Sequence, residues 1–353
     1  MTTPTIILGG TGYVAGELLR LVSQHPELSI AAVMSDSQPG ELVAHAFPHL
    51  ATTLGELRFA SEADVTQLVG SLPHSAIFSA APHGVSAALI DRLLRAAEAH
   101  GAAPRVVDIS ADYRYDSAAA YAAVYKHAHA APERIADFTC AVPEHLRASP
   151  TRHVAHPGCF ATAVLLASVP LLSHNIVQPT LFVSGITGST GSGRKPVDGT
   201  HHPTRHSDLY SYNALVHRHI PEITACALKA SGVQADFAFV PHSGPFARGI
   251  HVTVQAALAT DQRIDSTNLQ QLFSDFYAHS PFVQVLANAP RIKEVVASNY
   301  ARLSANSNGR TVAVTCVIDN LTKGAAGGAV QWMNRLLGLA ETTGLTQPAA
   351  GWT

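Results

Sequence analysis

The fold is decided by TIILGGTGYVAG at residues 5–16, where an apolar run passes directly into a glycine-rich turn. The pattern predicts a helix from about residue 17 to 24 and then a second apolar strand. In such a unit Gly9 allows the tight turn, Gly12 lets the backbone approach a pyrophosphate, and Ala15 is small enough for close packing of helix on strand. The phosphates then rest on the N-terminus of the helix. We therefore predict a parallel Rossmann-type sheet with a dinucleotide site.

The residues that follow the second strand normally choose between NAD and NADP. Here they are Ser35, Asp36 and Ser37. Asp36 can accept a hydrogen bond from the ribose 2′-hydroxyl of NAD, whereas the two serines can donate to the 2′-phosphate of NADP. No arginine stands beside them, so these residues alone leave the coenzyme open.

Further strand and helix units continue the parallel sheet. We predict a strand at 76–80, a helix at 85–99 and another strand at 105–109. The last strand ends in SADYR at 110–114, on the carboxyl edge where open α/β sheets bind ligands. Arg114 is a candidate for binding an anionic group, because a guanidinium offers a paired fork to phosphate. The alternative is a surface salt bridge.

A cysteine occurs at the predicted start of a helix in HVAHPGCFATA at 153–163. We predict a short strand, a turn, and an apolar helix from Phe160 to about Ser168 that Pro170 ends. Cys159 then lies at the positive end of the helix dipole, where the pKa of a thiol can fall from about 8.5 to between about 3.5 and 7.5. The alternative is a buried structural cysteine.

The second half of the chain has a different composition. Strands predicted at 180–187, 237–241, 249–256 and 312–319 form a mostly antiparallel sheet, and a last helix is predicted at about 324–337. A loop at 188–193 is rich in glycine and is followed by Arg194 and Lys195. It can hold an anion or act as a flexible lid.

Two histidines lie in YNALVHRHIPEI at 212–223. His217 and His219 are two positions apart, so on a helix only one of them can face Cys159. Either can be the proton donor and acceptor that a thiol mechanism needs.

The composition and charge of the chain argue against several classes of protein function. The chain has 353 residues, enough for two domains, and a formal net charge of −2 without basic runs, so we expect no nucleic-acid partner. Four cysteines stand far apart, no signal peptide precedes the first strand, and no apolar run approaches about 18 residues. We expect a soluble cytoplasmic protein without a membrane segment. Twenty histidines are present, but without acidic or thiolate ligands at metal spacing, so we expect no metal.

Several segments in the same order resemble the N-acetyl-gamma-glutamyl-phosphate reductases of arginine biosynthesis, which are related to aspartate-semialdehyde dehydrogenase. They are the nucleotide turn, SADYR at 110–114, HPGC at 156–159, HRHIPEI at 217–223, and DNLTKGAAG at 319–327. Val240-Pro241-His242 with Arg248-Gly249-Ile250 belongs to the same set. The resemblance covers nearly the whole chain.

The resemblance implies an NADP-dependent homodimer or homotetramer that reduces a small acyl phosphate. Thiolate attack by Cys159 would expel phosphate and leave a thioester that accepts hydride, while a histidine of the 217–219 segment manages the proton. The implied substrate ligands are Arg114 for the phosphate, with Ser110, Glu222 and Arg248. The implied coenzyme ligands are Gly9, Thr11, Gly12, Tyr13, Val14, Ser35, Ser37, Pro82, Gly188 and Asn320.

Two segments depart from the usual pattern of this family and leave other functions open. THHPTR at 200–205 and AVPE at 141–144 resemble related reductases whose aminoadipyl or glutamyl phosphate is linked to a carrier protein. A protein that binds nucleotide without catalysis is a second alternative. For the leading hypothesis we expect a Rossmann domain at 1–157 and 324–353, and an α+β catalytic domain at 158–323.

Overall fold

The computed structural model describes residues 2–352. The chain folds into two compact units. The first comprises the chain as far as Cys140, with Ala148–His156 and Ala326–Thr346. The second comprises Ala141–Arg147, Pro157–Ala325 and the residues from Gln347. The expected domain assignment stays a prediction. It differs from these units at 141–147, at Pro157, at 324–325 and from Gln347 onward, all of which lie in the second unit.

The strands are β1 (Thr3–Leu8), β2 (Leu28–Val33), β3 (Ala76–Ser79), β4 (Arg105–Asp108), β5 (Phe138–Cys140), β6 (His153–Ala155), β7 (Thr180–Thr187), β8 (Tyr210–Ser211), β9 (Asp236–Ser243), β10 (Ile250–Ala257), β11 (Val283–Val285), β12 (Ala301–Ser307) and β13 (Thr311–Ile318). The helices are α1 (Tyr13–Val22), α2 (Val43–Ala46), α3 (Ala51–Leu54), α4 (Glu62–Ser71), α5 (Ser86–Ala99), α6 (Ala118–Tyr125), α7 (Cys159–Ser173), α8 (His202–Arg205), α9 (Ile220–Ser231), α10 (Ser266–Phe276) and α11 (Gly327–Leu336).

The first unit is a parallel sheet with strand order β2-β1-β3-β4-β6-β5. Its inner strands read as continuous apolar runs because they are buried, and α11 packs against β4 and α1. Helix α1 begins at Tyr13, four residues before the predicted start, because Gly12 is already its N-cap with extended backbone angles. Gly9 has a φ of +73°, and a Cβ there would lie 2.6 Å from the carbonyl oxygen of Ala80. The tight turn predicted at this glycine is therefore present.

The second unit is a mixed sheet with strand order β11-β12-β13-β10-β7-β9-β8. The pairs β7–β9 and β11–β12 are parallel, and the others are antiparallel. Helix α7 packs on β10 and β13, with α9 and α10 beside it. At Gly185 a Cβ would lie 2.6 Å from the Phe160 ring, so a glycine there brings α7 close to the sheet.

Helix α7 corrects one prediction. Pro170 does not end the helix, which continues to Ser173. A proline inside a helix lacks the N–H that would bond to the carbonyl four residues before it, here that of Leu166. The hydroxyl of Tyr277 donates to this carbonyl instead, at 2.7 Å. A hydroxyl far away in the sequence thus replaces the missing donor.

This replacement predicts a coupled effect on stability. Tyr277→Phe leaves the Leu166 carbonyl buried without a donor, so we expect the free energy of unfolding to fall by about 1–3 kcal/mol. In a Pro170→Ala background the restored N–H of residue 170 satisfies that carbonyl, and the cost of Tyr277→Phe should drop by at least half. Urea unfolding of the four proteins measures both values. Equal costs in the two backgrounds would contradict this explanation.

Candidate active site

Cys159 is the first residue of α7, as the glycine turn before it predicted. The N-cap is Gly158, and the first intrahelical bond runs from the N–H of Thr162 to its carbonyl at 2.8 Å. The backbone N–H of Gly158 donates to Oε1 of Glu222 at 2.6 Å, and this carboxylate is fully buried. Glu222 lies in the first turn of α9. One hydrogen bond thus ties the helix that begins with the cysteine to the helix that begins beside the histidines.

A π-helical turn at Thr322–Ala326 approaches the cysteine closely. A Cβ on Gly324 would lie 2.6 Å from the Cβ of Cys159, so a side chain here would push the thiol aside. Lys323 and Glu144 anchor this turn through a fully buried ion pair of 2.5 Å. The AVPE segment, which resembled carrier-dependent enzymes, therefore contributes a glutamate to the interior of this unit.

Arg248 lies beside the same turn and is held by a buried carboxylate. Its Nε and Nη2 donate to Asp319 at 2.9 and 3.1 Å, and Nη2 also donates to the hydroxyl of Thr322 at 3.0 Å. Asp319 accepts further bonds from the backbone N–H groups of Leu321 and Thr322. These contacts fix Arg248 to the turn, and its predicted role in substrate binding stays a prediction.

The two histidines occupy different settings just before α9. The ring of His217 is enclosed by the rings of Phe160, Tyr212, Phe239 and His219, whose centroids lie 4.7–5.9 Å away. Burial, with the positive charge of Arg218, lowers the pKa of His217 to about 4. The backbone N–H of His219 donates to Nδ1 of His217 at 3.2 Å. The neutral ring of His217 therefore carries its proton on Nε2 and is a hydrogen-bond donor at neutral pH.

A cavity of about 560 Å³ joins these groups within the second unit. Its lining residues are Cys159, Phe160, Thr187, Gly191, Ser192, Tyr210, Tyr212, Asn213, Val216, His217, Arg218, His219 and Ser243. The expectation that only one histidine can face Cys159 was wrong, because it assumed a helix: both residues precede the first helical residue of α9, and both line the cavity. The sequence did not single out Arg218 or Tyr212. Arg218 stands between the two histidines in the sequence, and this position was the available signal.

In the first unit, Arg114 is buried, and its Nε and Nη2 donate to the carbonyls of His156 and Ile109 at 2.9 and 2.7 Å. The hydroxyl of Ser110 donates to Asp108 at 2.7 Å. Burial and nearby Asp112 raise the pKa of Asp108 to about 6. Arg114 thus fixes the carbonyl of His156, three residues before the cysteine. Phosphate binding by Arg114 and substrate binding by Ser110 stay predictions.

The predicted coenzyme residues of the first unit form a suitable cradle. A Cβ on Gly12 would meet only the carbonyl oxygen of Gly9, at 3.9 Å, and no side chain caps α1. The backbone N–H groups of its first turn, Tyr13 and Val14 among them, are therefore in position for an anion. After β2 the hydroxyls of Ser35 and Ser37 lie 3.4 Å apart. Thr11 stands in the same glycine turn, and Pro82 precedes α5. The residues fit a dinucleotide.

Gly188 and Asn320 lie in the second unit and have clear structural roles there. A Cβ on Gly188 would lie 2.4 Å from the carbonyl oxygen of Ala247. The side chain of Asn320 accepts from the N–H of Gly249 at 2.7 Å and donates to the hydroxyl of Thr190 at 2.9 Å. Their contact with coenzyme stays a prediction.

Known proteins resemble this chain over nearly its whole length. Residues 5–147 match the family model described as semialdehyde dehydrogenase, NAD binding domain, and 159–320 match semialdehyde dehydrogenase, dimerisation domain. The N-acetyl-gamma-glutamyl-phosphate reductases of Acidithiobacillus ferrooxidans and Azotobacter vinelandii are each 38% identical over 97% of this chain and 98% of their own. The chain belongs to the N-acetyl-gamma-glutamyl-phosphate reductase family. The resemblance drawn from the motifs is confirmed, and with it an oxidoreductase of the Rossmann type.

Solved structures support the fold. Aspartate semialdehyde dehydrogenase II from Vibrio cholerae, complexed with ASA, has a TM-score of 0.68 at 14% identity and covers 96% of this chain and 98% of its own. The aspartate semialdehyde dehydrogenase of Candida albicans with NADP has a TM-score of 0.68 at 14% identity and covers 97% and 100%. The predicted combination of a parallel sheet and a mostly antiparallel sheet is confirmed.

Two further properties concern residues 2–352, the part of the chain that the structure describes. No helix in that range is long and apolar enough to cross a bilayer. No group of three or more histidine, cysteine, aspartate or glutamate side chains is placed there to hold a metal ion.

Proposed function

We propose that this protein reduces N-acetyl-gamma-glutamyl phosphate to N-acetylglutamate semialdehyde with NADPH, as a step of arginine biosynthesis. The proposal is carried by one observation: Cys159, at the start of α7, lines the same cavity as His217 and His219. The positive end of a helix favours a thiolate over a thiol. The 38% identity to reductases of this name supports the substrate.

The residues carry the reaction in two stages. The Cys159 thiolate attacks the acyl carbon, the carbon–oxygen bond to phosphate breaks, and a thioester remains. We assign the stabilisation of the negative oxygen that develops to the backbone N–H of Phe160 in the first turn of α7. NADPH, when bound, supplies the hydride that reduces the thioester carbon. The carbon–sulfur bond then breaks, which releases the aldehyde and restores the thiolate.

We assign the proton transfer to His219. His217 is neutral above about pH 4, and its Nδ1 already accepts a hydrogen bond, so this ring can donate through Nε2 but cannot take up a proton at neutral pH. His219 lines the same cavity and occupies the N-cap position of α9. It gives a proton to the reduced oxygen and takes it back as the aldehyde leaves, while His217 holds that oxygen by donation.

The cradle at Gly12 is our proposed site for the coenzyme pyrophosphate, with Ser35 and Ser37 as the proposed donors to the 2′-phosphate. The NADP bound in the Candida albicans relative supports this choice. Arg114 remains our proposed ligand for the substrate phosphate. None of the four cysteines forms a disulfide, as a cysteine mechanism requires, and we propose that the protein acts in the reducing cytoplasm.

The reverse reaction tests the activity. We expect N-acetylglutamate semialdehyde to reduce NADP only when phosphate is present, because phosphate must release the acyl group from Cys159. Cys159→Ser should lose at least about 10³-fold in kcat, since a hydroxyl is a much weaker nucleophile. His219→Gln should lose about 10²–10⁴-fold. The absorbance of the NADPH formed measures the rate for the wild type, with and without phosphate, and for the two variants.

His217→Gln is the matched control, because its amide keeps a donor where the imidazole N–H was. We expect a smaller loss than in His219→Gln and an unchanged acid limb of kcat/KM above pH 5, since His217 does not titrate there. No turnover by the wild type would contradict the proposed substrate and favour a carrier-linked one. If the decline of kcat/KM at low pH disappears only in His217→Gln, then His217, and not His219, transfers the proton.

We propose a homodimer formed through the open face of the second sheet. On β7 the side chains of Phe182, Ser184 and Ile186 alternate with buried residues; Phe182 and Ser184 are exposed, Phe182 to 59%, and Ile186 is half-buried. Val240 of β9 pairs with Ser184 and continues this face. A large ring exposed at the middle of a sheet is typical of an interaction surface. The dimerisation domain matched by residues 159–320 supports a second copy as the occupant.

Phe182→Asp tests this interface. A charge buried against the partner copy should convert a two-chain mass into a one-chain mass in light scattering after size exclusion. Leu228→Asp, at an exposed position of α9, is the control and should keep the dimer. A one-chain mass for the wild type, or a dimer that survives Phe182→Asp, would contradict the proposal.

A further inference from the structure

A buried arginine lies behind the wall of the catalytic cavity. Arg205 is the last residue of α8 and only 7% exposed, although its neighbours from 201 to 210 are on the surface. Its Nη1 donates to the carbonyl of Asp208 at 3.0 Å and approaches that of Ser243 at 3.5 Å. Both acceptors are backbone carbonyls, so this contact leaves the positive charge unneutralised.

The other nitrogens of Arg205 are buried without an acceptor. No described atom accepts from Nε or Nη2, and no described carboxylate forms an ion pair with the guanidinium. Elsewhere in this unit Lys323 pairs with Glu144 in the interior, and the buried Asp319 pairs with the half-buried Arg248. An arginine stays charged at any physiological pH, and burying an unpaired charge is costly. Such a side chain is expected where a ligand supplies the missing anion.

The position of Arg205 connects it to the chemistry. Its guanidinium carbon lies 5.9 Å from the centre of the Tyr210 ring. Tyr210 and Ser243, the two residues against which the guanidinium rests, line the same cavity as Cys159. Between α8 and Tyr210 the chain passes through Ser207 at a φ of +59°, a left-handed conformation that persists only where the surroundings impose it.

We propose that Arg205 binds the α-carboxylate of the substrate. The inference rests on the proposed function, because an N-acetylglutamyl substrate has two anionic groups. The acyl phosphate of the substrate must lie at Cys159. Arg205 lies behind the residues that form the cavity wall, so it is placed for the other end of the substrate, which carries the α-carboxylate. Tyr210, which is 39% exposed, turns aside so that the planar fork of Nε and Nη2 meets both carboxylate oxygens.

A substrate without the carboxylate isolates this contact. We compare N-acetylglutamate semialdehyde with 4-acetamidobutanal, the same aldehyde without the α-carboxylate, in the phosphate-dependent reverse reaction. Arg205→Met should lower kcat/KM for the first aldehyde about 100-fold, since a charge-assisted pair is lost, and change that for the second less than twofold. For N-acetylglutamate semialdehyde, the kcat/KM of Arg205→Lys should lie between those of the wild type and Arg205→Met. Arg263→Met removes an exposed arginine of the same unit as the matched control and should match the wild type.

The thermal stability of Arg205→Met distinguishes an arginine that binds substrate from one that supports the fold. Removing an unpaired buried charge should leave the Tm of Arg205→Met equal to or above that of the wild type without ligand. A lower Tm together with an equal loss on both aldehydes would show a structural arginine and overturn the proposal. Discrimination between the aldehydes that is unchanged in Arg205→Met would overturn it as well.

Calorimetry with N-acetylglutamate keeps this test separate from the proposed reaction. Wild-type protein that turns over neither aldehyde would contradict the proposed function, yet binding of this acid can still be measured. Binding that is at least tenfold weaker in Arg205→Met than in Arg263→Met supports the carboxylate contact. Equal binding by the two variants overturns it.

Discussion

The hydrogen bond from the N–H of Gly158 to the buried carboxylate of Glu222 fixes the start of α7, and the proposed chemistry depends on that start. Because Glu222 lies one turn into α9, the same contact sets the cysteine against the segment that carries both histidines. A carboxylate with no exposed surface must keep its donors, since an unpaired buried charge costs several kcal/mol. We therefore regard Glu222, predicted from the resemblance to bind substrate, as the residue that positions Cys159.

A second constraint acts from the opposite side of the cysteine. The π-helical turn brings Gly324 against the Cβ of Cys159, and this approach excludes any larger residue. The turn is anchored by the buried pair of Lys323 with Glu144 and by Asp319, which holds Arg248. π-Helical turns are rare and are frequent at functional sites. Here the turn confines the thiol while leaving it at the edge of a cavity.

Local patterns predicted the parts of the fold that local sequence controls. The strand, glycine turn and helix around Gly12 and the helix start at Cys159 depend on residues within one turn of each other, so spacing and glycine content identify them. Pro170 gave a wrong helix end because its missing donor is replaced by Tyr277, 111 residues from the accepting carbonyl of Leu166. A local pattern contains no signal for such a partner.

The same limit applied to the site. The sequence identified Cys159 and the two histidines, but it did not distinguish His217 from His219, because that distinction comes from burial and from one backbone hydrogen bond. Arg205 was noted within THHPTR only for its resemblance to other reductases. Its lack of a partner becomes visible only when the neighbours in space are known.

Cys159 at the start of α7 is the proposed nucleophile that accepts the acyl group, and every later step depends on it. The most direct measurement is mass spectrometry of protein that is mixed with freshly prepared N-acetyl-gamma-glutamyl phosphate without coenzyme and then quenched in acid. We predict one added N-acetylglutamyl group, found on the peptide that contains Cys159 and lost on treatment with hydroxylamine. Unmodified protein, or an acyl group on Cys140, Cys226 or Cys316 instead, would contradict the account.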